Sequence, residues 1–551
     1  MYLTVYFLCT RIILRNFASV IKIIVMRGKV KLTLMALVMM ACSKEGLPAE
    51  RNLNYEYGRN LSHEKIVLGE RLENPYKTEN ITKALNSLYP TKADRVVLES
   101  TDLYVRFLPE NKEQCDKLVS MGLRLTDHPL DYDILVEGDW YHDPDVPEDD
   151  VTWQYAVVPI DFVFPDIRYE VIDECFLAEN ASTKAFEDLN WDEIERYSYI
   201  LTGNEDKLVP DTKGPGDKSA PPKGRITILD EHYNDGIPIG VSGVLVSCNS
   251  FVKYDDCYTD CEGYYQMSKK FSSNIRYRII FENELDFTIG LNMILFPASV
   301  STLGKSSPSG VDMTVTKDSD DNLYKRCVVN NAAYDYISSC MSRSGLDIAA
   351  PPTDVNIWIF NTLRSSSAVM LHHGAVLENK SIKNYLGEYS SLLRFFLPDI
   401  TIGAKGSDEY REIYSSTCHE LAHASHFARV GKNYWDTYIR FIIESYITSG
   451  GITYGDGTEE NAGYCEVGEM WAYFAESLMF KNRYGGDFPT FGNSHWFKPE
   501  IFRYLYARGL TCSSIFSVLD ENVISKKSLE RALLAEYPHK KNIIEMAFDK
   551  Y

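Results

Sequence analysis

Histidine is scarce in this chain, 11 of 551 residues. A tight grouping of histidines is therefore informative. Cysteine is used without order: 12 residues, irregularly spaced and with no C-x-x-C pair, so no disulfide connectivity follows from them. Cys248, Cys257 and Cys261 are close enough in sequence for a disulfide if the chain is exported. Basic residues form no dense stripe, and the formal net charge is −21, which argues against a nucleic-acid partner. No internal repeat or low-complexity tract stands out. With 45% hydrophobic and 13% aromatic residues over 551 positions, the chain can bury real cores in several domains.

The stretch His419-Glu420-Leu421-Ala422-His423 reads H-E-x-x-H. On a helix, residues four apart share a face. Two imidazoles would then meet at one point, which suits tetrahedral Zn²⁺. Glu420, one position round, would lie close enough to take a proton from water at the metal. The surroundings predict a helix. Ser407-Asp408-Glu409 offers an N-cap and an acidic first turn. Tyr414, Thr417, Leu421, Ala424 and Ala428 recur at helical spacing as a buried stripe. His419, His423 and His426 fall on the neighbouring stripe. Strands are expected at Val355–Phe360, Ala368–Leu371, Leu393–Leu397 and around Ile400 and Ile402.

A catalytic zinc site needs a third protein ligand. The metzincin continuation H-E-x-x-H-x-x-G-x-x-H is excluded, because His426 stands at the Gly position and Arg429 at the last His. A second helix is expected over Glu466 to Glu476, with Met470, Phe474 and Leu478 as its apolar stripe and Glu466, Glu469, Tyr473 and Glu476 beside it. Here the chain resembles the gluzincins, H-E-x-x-H peptidases whose third ligand is a Glu, in some families set in Glu-x-Phe-Ala. Glu469-Met470-Trp471-Ala472 is similar to that setting, with Trp for Phe. The resemblance implies His419, His423 and Glu469 as zinc ligands and Glu420 as the base, with Glu466 as the alternative third ligand. Many gluzincins carry an acid four residues after the Glu ligand, orienting a His ligand. Tyr473 stands there, and Glu476 is the substitute.

Tyr464, Tyr484 and His495 are candidate oxyanion stabilisers, each with a packing role as the plainer reading. His426 is expected in the pocket or beside a ligand without being one; His372 and His373 are candidates to line a cleft, with surface or core placement as the plainer reading; and Cys418 is expected as a small buried helix residue.

Residues 26 to 42 resemble a bacterial lipoprotein signal. Met26 to Lys31 is basic, and Leu32 to Met40 is apolar but too short to span a bilayer. Ala41-Cys42 resembles the end of a lipobox, with Cys42 as the lipidated residue.

The expected organisation is a multidomain α+β chain. Residues 1–41 are a signal and upstream segment, 42–75 a lipid-anchored tether, and 76–205 an N-terminal α/β domain. A Pro/Gly linker spans 206–222. Residues 223–317 are β-rich, and Thr259-Asp260-x-x-Gly263-x-Tyr265 resembles a turn of the carboxypeptidase regulatory-like β-sandwich. That resemblance implies a structural or docking module. Residues 318–551 are expected to be a mainly helical zincin-like domain with a small sheet. The expectation is therefore a zinc metallopeptidase, exported to the bacterial cell envelope and lipid-anchored, acting on a peptide or protein substrate, with no oligomer implied. The rival readings are a surface binding lipoprotein with a structural or vestigial zinc site, and a zinc hydrolase of non-peptide amides.

Overall fold

The computed structural model describes residues 65–551, apart from 94–97, 148–149, 182–188, 211–219, 292–297, 376–396, 408 and 450–453. Cys42 and the signal-like segment lie outside the described residues, as do most of the strand expected at Leu393–Leu397 and most of the linker. The described chain is mixed α+β. No helix among the described residues is long and apolar enough to cross a membrane.

The first part opens with β1 (Val67–Arg71), in a stretch expected to be tether. Helices α1 (Thr78–Leu88), α2 (Lys112–Ser120) and α3 (Trp191–Leu201) accompany β2 (Asp102–Leu108), β3 (Tyr132–Val136), β4 (Gln154–Pro159) and β5 (Arg168–Cys175). β1 pairs with β3, and β2 lies between β4 and β5, all antiparallel. The alternation of Leu103, Val105 and Phe107 sends one face of β2 into a core with Leu118 of α2. Asn111 caps α2 by accepting from the Gln114 N–H at 2.9 Å.

The β-rich segment supplies β6 (Lys223–Ile228), β7 (Ile239–Gly240), β8 (Val244–Ser250), β9 (Lys253–Tyr258), β10 (Tyr264–Gln266), β11 (Ile275–Asn283), β12 (Phe287–Leu291), β13 (Val300–Ser306) and β14 (Met313–Val315). The turn before β10 shows why its residues are needed. Asp260 Oδ1 accepts from the N–H groups of Glu262 and Tyr264, both at 2.9 Å. Gly263 has φ +81°, and a Cβ there would sit 2.1 Å from the Ile226 carbonyl oxygen. β6, β7, β10 and β14 form one sheet; β8, β9, β11, β12 and β13 belong to another.

That second sheet does not stop at the boundary expected at 317/318. β12 pairs in parallel with β15 (Val355–Phe360), and the order runs β16-β17-β15-β12-β11-β8-β9, with β16 (Ser367–Ala368) and β17 (Ile400–Gly403) at one end. The strand expected over Ala368–Leu371 is shorter, because Met370 turns the chain at φ +60°. One buried core runs from Ile226 of β6 to Phe548 near the C-terminus. The β-rich segment and the helices after it therefore share an interior.

Those helices are α4 (Asp321–Met341), α5 (Tyr410–Val430), α6 (Lys432–Ser449), α7 (Ala462–Tyr484), α8 (Glu500–Tyr506), α9 (Cys512–Ser517), α10 (Lys526–Glu536) and α11 (Lys541–Lys550). α5 begins without the expected side-chain cap: Glu409 sits at the N-cap but binds Arg411 instead, at 2.6 Å. Ala428, expected on the buried stripe, is exposed with Arg429, while Phe427 and Val430 carry the buried face in the last turn of α5. α7 is buried on every side from Val467 to Met479, not on one stripe. Such a helix is the central element of its layer. Trp471 ties it to α5, donating Nε1–H to the Ala422 carbonyl at 3.0 Å.

Arg483 at the end of α7 joins the layers. It donates to Asp230 after β6 at 2.9 Å and to Asp335 of α4 at 2.9 Å, beneath the rings of Tyr233, Tyr410 and Tyr414.

Candidate metal centre

α5 and α7 pack against each other, and their facing sides carry the site. The four-residue spacing sets His419 and His423 on one face of α5, with ring centroids 4.8 Å apart. Glu469 of α7 faces both. Its Oε2 lies 3.5 Å from His419 Nε2 and its Oε1 3.5 Å from His423 Nε2. One ligand atom from each residue lies within 4.8 Å of the others, and all three side chains are buried. Among the described residues this is the one group of three or more such side chains placed to hold a metal ion.

The donor set fits Zn²⁺. Donors at about 2.1 Å in a tetrahedron stand about 3.4 Å apart, close to the 3.5 Å that separates Glu469 from each imidazole nitrogen. Glu469 Oε2 is buried and has no hydrogen-bond partner. A carboxylate oxygen left so in the interior is costly unless a cation meets it. Burial alone would raise the Glu469 carboxyl, yet His423 and His419 beside it hold it well below the ordinary carboxylate range.

The surrounding groups orient these side chains. Glu476, two turns beyond Glu469, accepts at Oε2 from His419 Nδ1 at 2.9 Å. A carboxylate there only accepts, so Nδ1 carries the proton and Nε2 keeps its lone pair for the metal. This places Glu476 where the sequence offered it as the substitute acid. The Glu476 Oε1 atom accepts from Ser415 Oγ at 2.6 Å. Tyr473, at the position where gluzincins carry the acid, packs its ring edge-on to His419 at 4.5 Å. Replacing Glu476 by Gln is expected to lower metal affinity roughly 10–100-fold, the usual effect of losing an outer partner of a ligand; competition with a chromophoric chelator measures it.

Glu466 lies elsewhere. Its Oε2 accepts from the Lys526 N–H at 2.8 Å, at the N-terminus of α10. Glu420 is buried at 4% exposure and lines a pocket with His419, His423 and Glu469. Ser367 and Ala368 of β16 and Tyr438, Ile439 and Tyr454 complete the wall.

Of the three candidate oxyanion stabilisers, His495 alone stands beside this wall, its ring 5.3 Å from Tyr454 and 5.9 Å from Tyr473. Tyr464 packs on Tyr434, and Tyr484 donates to Asp230 away from the site. His426 is fully buried between Tyr434 and Trp435, with no hydrogen bond at either ring nitrogen. Burial pushes its pKa down to about 3 and keeps it neutral. It does not line the pocket. His372 and His373 pair with Asp354 and Asp399 outside the site. Cys418 is fully buried, and Cys248, Cys257 and Cys261 form no disulfide with one another.

The sequence reading did not single out Tyr438 or Tyr454. The signal for Tyr438 was available: Trp435, Tyr438, Ile439 and Ile442 recur at helical spacing, and all four are buried. Tyr454 follows no periodicity. Compared with protein families, with curated proteins and with solved structures, the chain matches none.

Proposed function

We propose that this protein is a zinc-dependent peptide-bond hydrolase of gluzincin type. The observation that carries the proposal is the buried convergence of His419, His423 and Glu469 beside a second acid, Glu420, which lines the same pocket without belonging to the ligand group. A purely structural site would have no use for such an acid.

His419 and His423 would hold the metal through their Nε2 atoms, and Glu469 through a carboxylate oxygen. Bound zinc supplies Lewis acidity, polarising a carbonyl and making water more acidic. Glu420 takes the proton from the attacking water and delivers it to the departing amine. The walls of Tyr438, Ile439 and Tyr454 restrict solvent around that exchange.

A peptide substrate is favoured over a small amide by the resemblance of His419-Glu420-x-x-His423 and Glu469-Met470-Trp471-Ala472 to the motifs of gluzincin peptidases. β16, the terminal strand of the eight-stranded sheet, borders the pocket; both its residues are buried, and the Ala368 carbonyl accepts from Trp435 Nε1–H at 3.2 Å. In this reading the zincin-like unit is residues 318–551 together with the strands of 223–317 that join their sheet and share their core. The basic run, short apolar core and Ala41-Cys42 support export and lipid anchoring at Cys42. A mixed peptide library is expected to be cleaved by the 43–551 chain, with cleavage abolished by a chelator and restored by Zn²⁺. No cleavage by the zinc-loaded protein would count against the peptidase reading.

A further inference from the structure

We propose that two hydroxyls, those of Tyr438 and Ser415, are positioning residues of the metal centre: each occupies one oxygen of an acid and so sets which oxygen faces His419. The proposal rests on the reading of His419, His423 and Glu469 as metal ligands.

A glutamate carboxylate has two equivalent oxygens and a broad terminal torsion. A ligand acid left to itself can offer a metal one oxygen or both. Here neither acid next to His419 has that freedom. The Tyr438 hydroxyl lies 2.6 Å from Glu469 Oε1, and a carboxylate only accepts, so the phenol donates. Tyr438 comes from α6, not from a ligand helix, and is itself 4% exposed, packed against Trp435 and His423. Its bond takes Oε1, which also lies 3.5 Å from His423 Nε2, and leaves Oε2 without a hydrogen bond.

The second acid repeats the pattern. Ser415 stands one turn before His419 on α5. A serine in mid-helix often turns its hydroxyl back to the carbonyl four residues earlier. Ser415 instead donates across to Glu476 Oε1 at 2.6 Å. The other oxygen, Oε2, meets His419 Nδ1. The two ring nitrogens of His419 thus face the Oε2 atoms of two acids, and a hydroxyl holds the Oε1 atom of each. Hydroxyls that merely satisfied buried acids would affect the stability of the metal-free fold. Hydroxyls that select the oxygen also affect how the centre holds metal.

The test uses the full chain, with Zn²⁺ affinity by chelator competition, the visible spectrum of the Co²⁺-loaded protein, and melting of the metal-free form. Tyr438→Phe and Ser415→Ala are compared with wild type. Each variant is expected to bind Zn²⁺ roughly 10–100-fold more weakly. Tyr438→Phe is also expected to change the intensity of the Co²⁺ absorption, because both Glu469 oxygens become available. Unchanged affinity and an unchanged spectrum in a folded variant would overturn the assignment of that hydroxyl. If Tyr438→Phe does not fold, Ser415→Ala, which deletes one small group, decides the matter. Wild type that binds neither metal removes the metal-centre reading and the proposal with it; wild type that binds both, with variants that bind equally well, removes the proposal alone.

Discussion

Replacing Glu420 by Gln is expected to leave the metal and the fold in place and to lower peptide turnover by roughly 10²–10⁴-fold, the span of general-base catalysis. The substitution is nearly isosteric. Glu420 lies in the pocket wall but outside the group of residues placed to hold a metal, so the ligand set loses nothing. What disappears is the one acid in the wall that is not committed to the metal. Turnover and metal content must be measured on the same preparations. Equal turnover at equal metal content would remove Glu420 from the mechanism and with it the main argument for an enzyme.

The second large effect is expected at Glu469. Glu469→Gln removes the charge that faces both imidazoles and should weaken metal binding by at least the roughly 10–100-fold that loss of an outer partner costs. Glu466→Gln, three residues earlier on the same helix, should leave affinity unchanged, because Glu466 serves the start of α10. Its loss should cost about 0.3–1 kcal/mol of stability, the worth of an anion at a helix N-terminus. The pair controls for general damage to α7. Equal loss of metal in both variants would contradict the assignment of Glu469 as the ligand.

How much of this site could be read from the chain differs from residue to residue, for physical reasons. His419, Glu420 and His423 act at helical spacing on one element, so local periodicity reveals them. Glu469 lies 46 positions beyond His423 and was reached by resemblance. Its partner Tyr438 needs the fold, because α6 must pack beside α7 before the hydroxyl and the carboxylate meet. The full burial of α7 was also hidden. Periodicity separates an apolar stripe from a polar one, but here Glu469, Tyr473 and Glu476 of the polar stripe are interior as well, with Tyr438, Ser415 and His419 donating to the two acids. The boundary expected at 317/318 lies where a β-rich segment gives way to a helical one. Sheet pairing crosses that point, and β12 joins β15 through backbone hydrogen bonds. β1 was read as tether because a short, half-exposed strand with charged residues carries no apolar run, and only pairing with β3 defines it.

The most direct test of the account is the metal content of the purified chain after reconstitution with Zn²⁺ at neutral pH, determined by elemental analysis on wild type and on Glu469→Gln. The account predicts about one zinc per wild-type chain, as three protein ligands and an open position require, and a marked loss in the variant. A wild-type chain that retains no zinc under those conditions would contradict it.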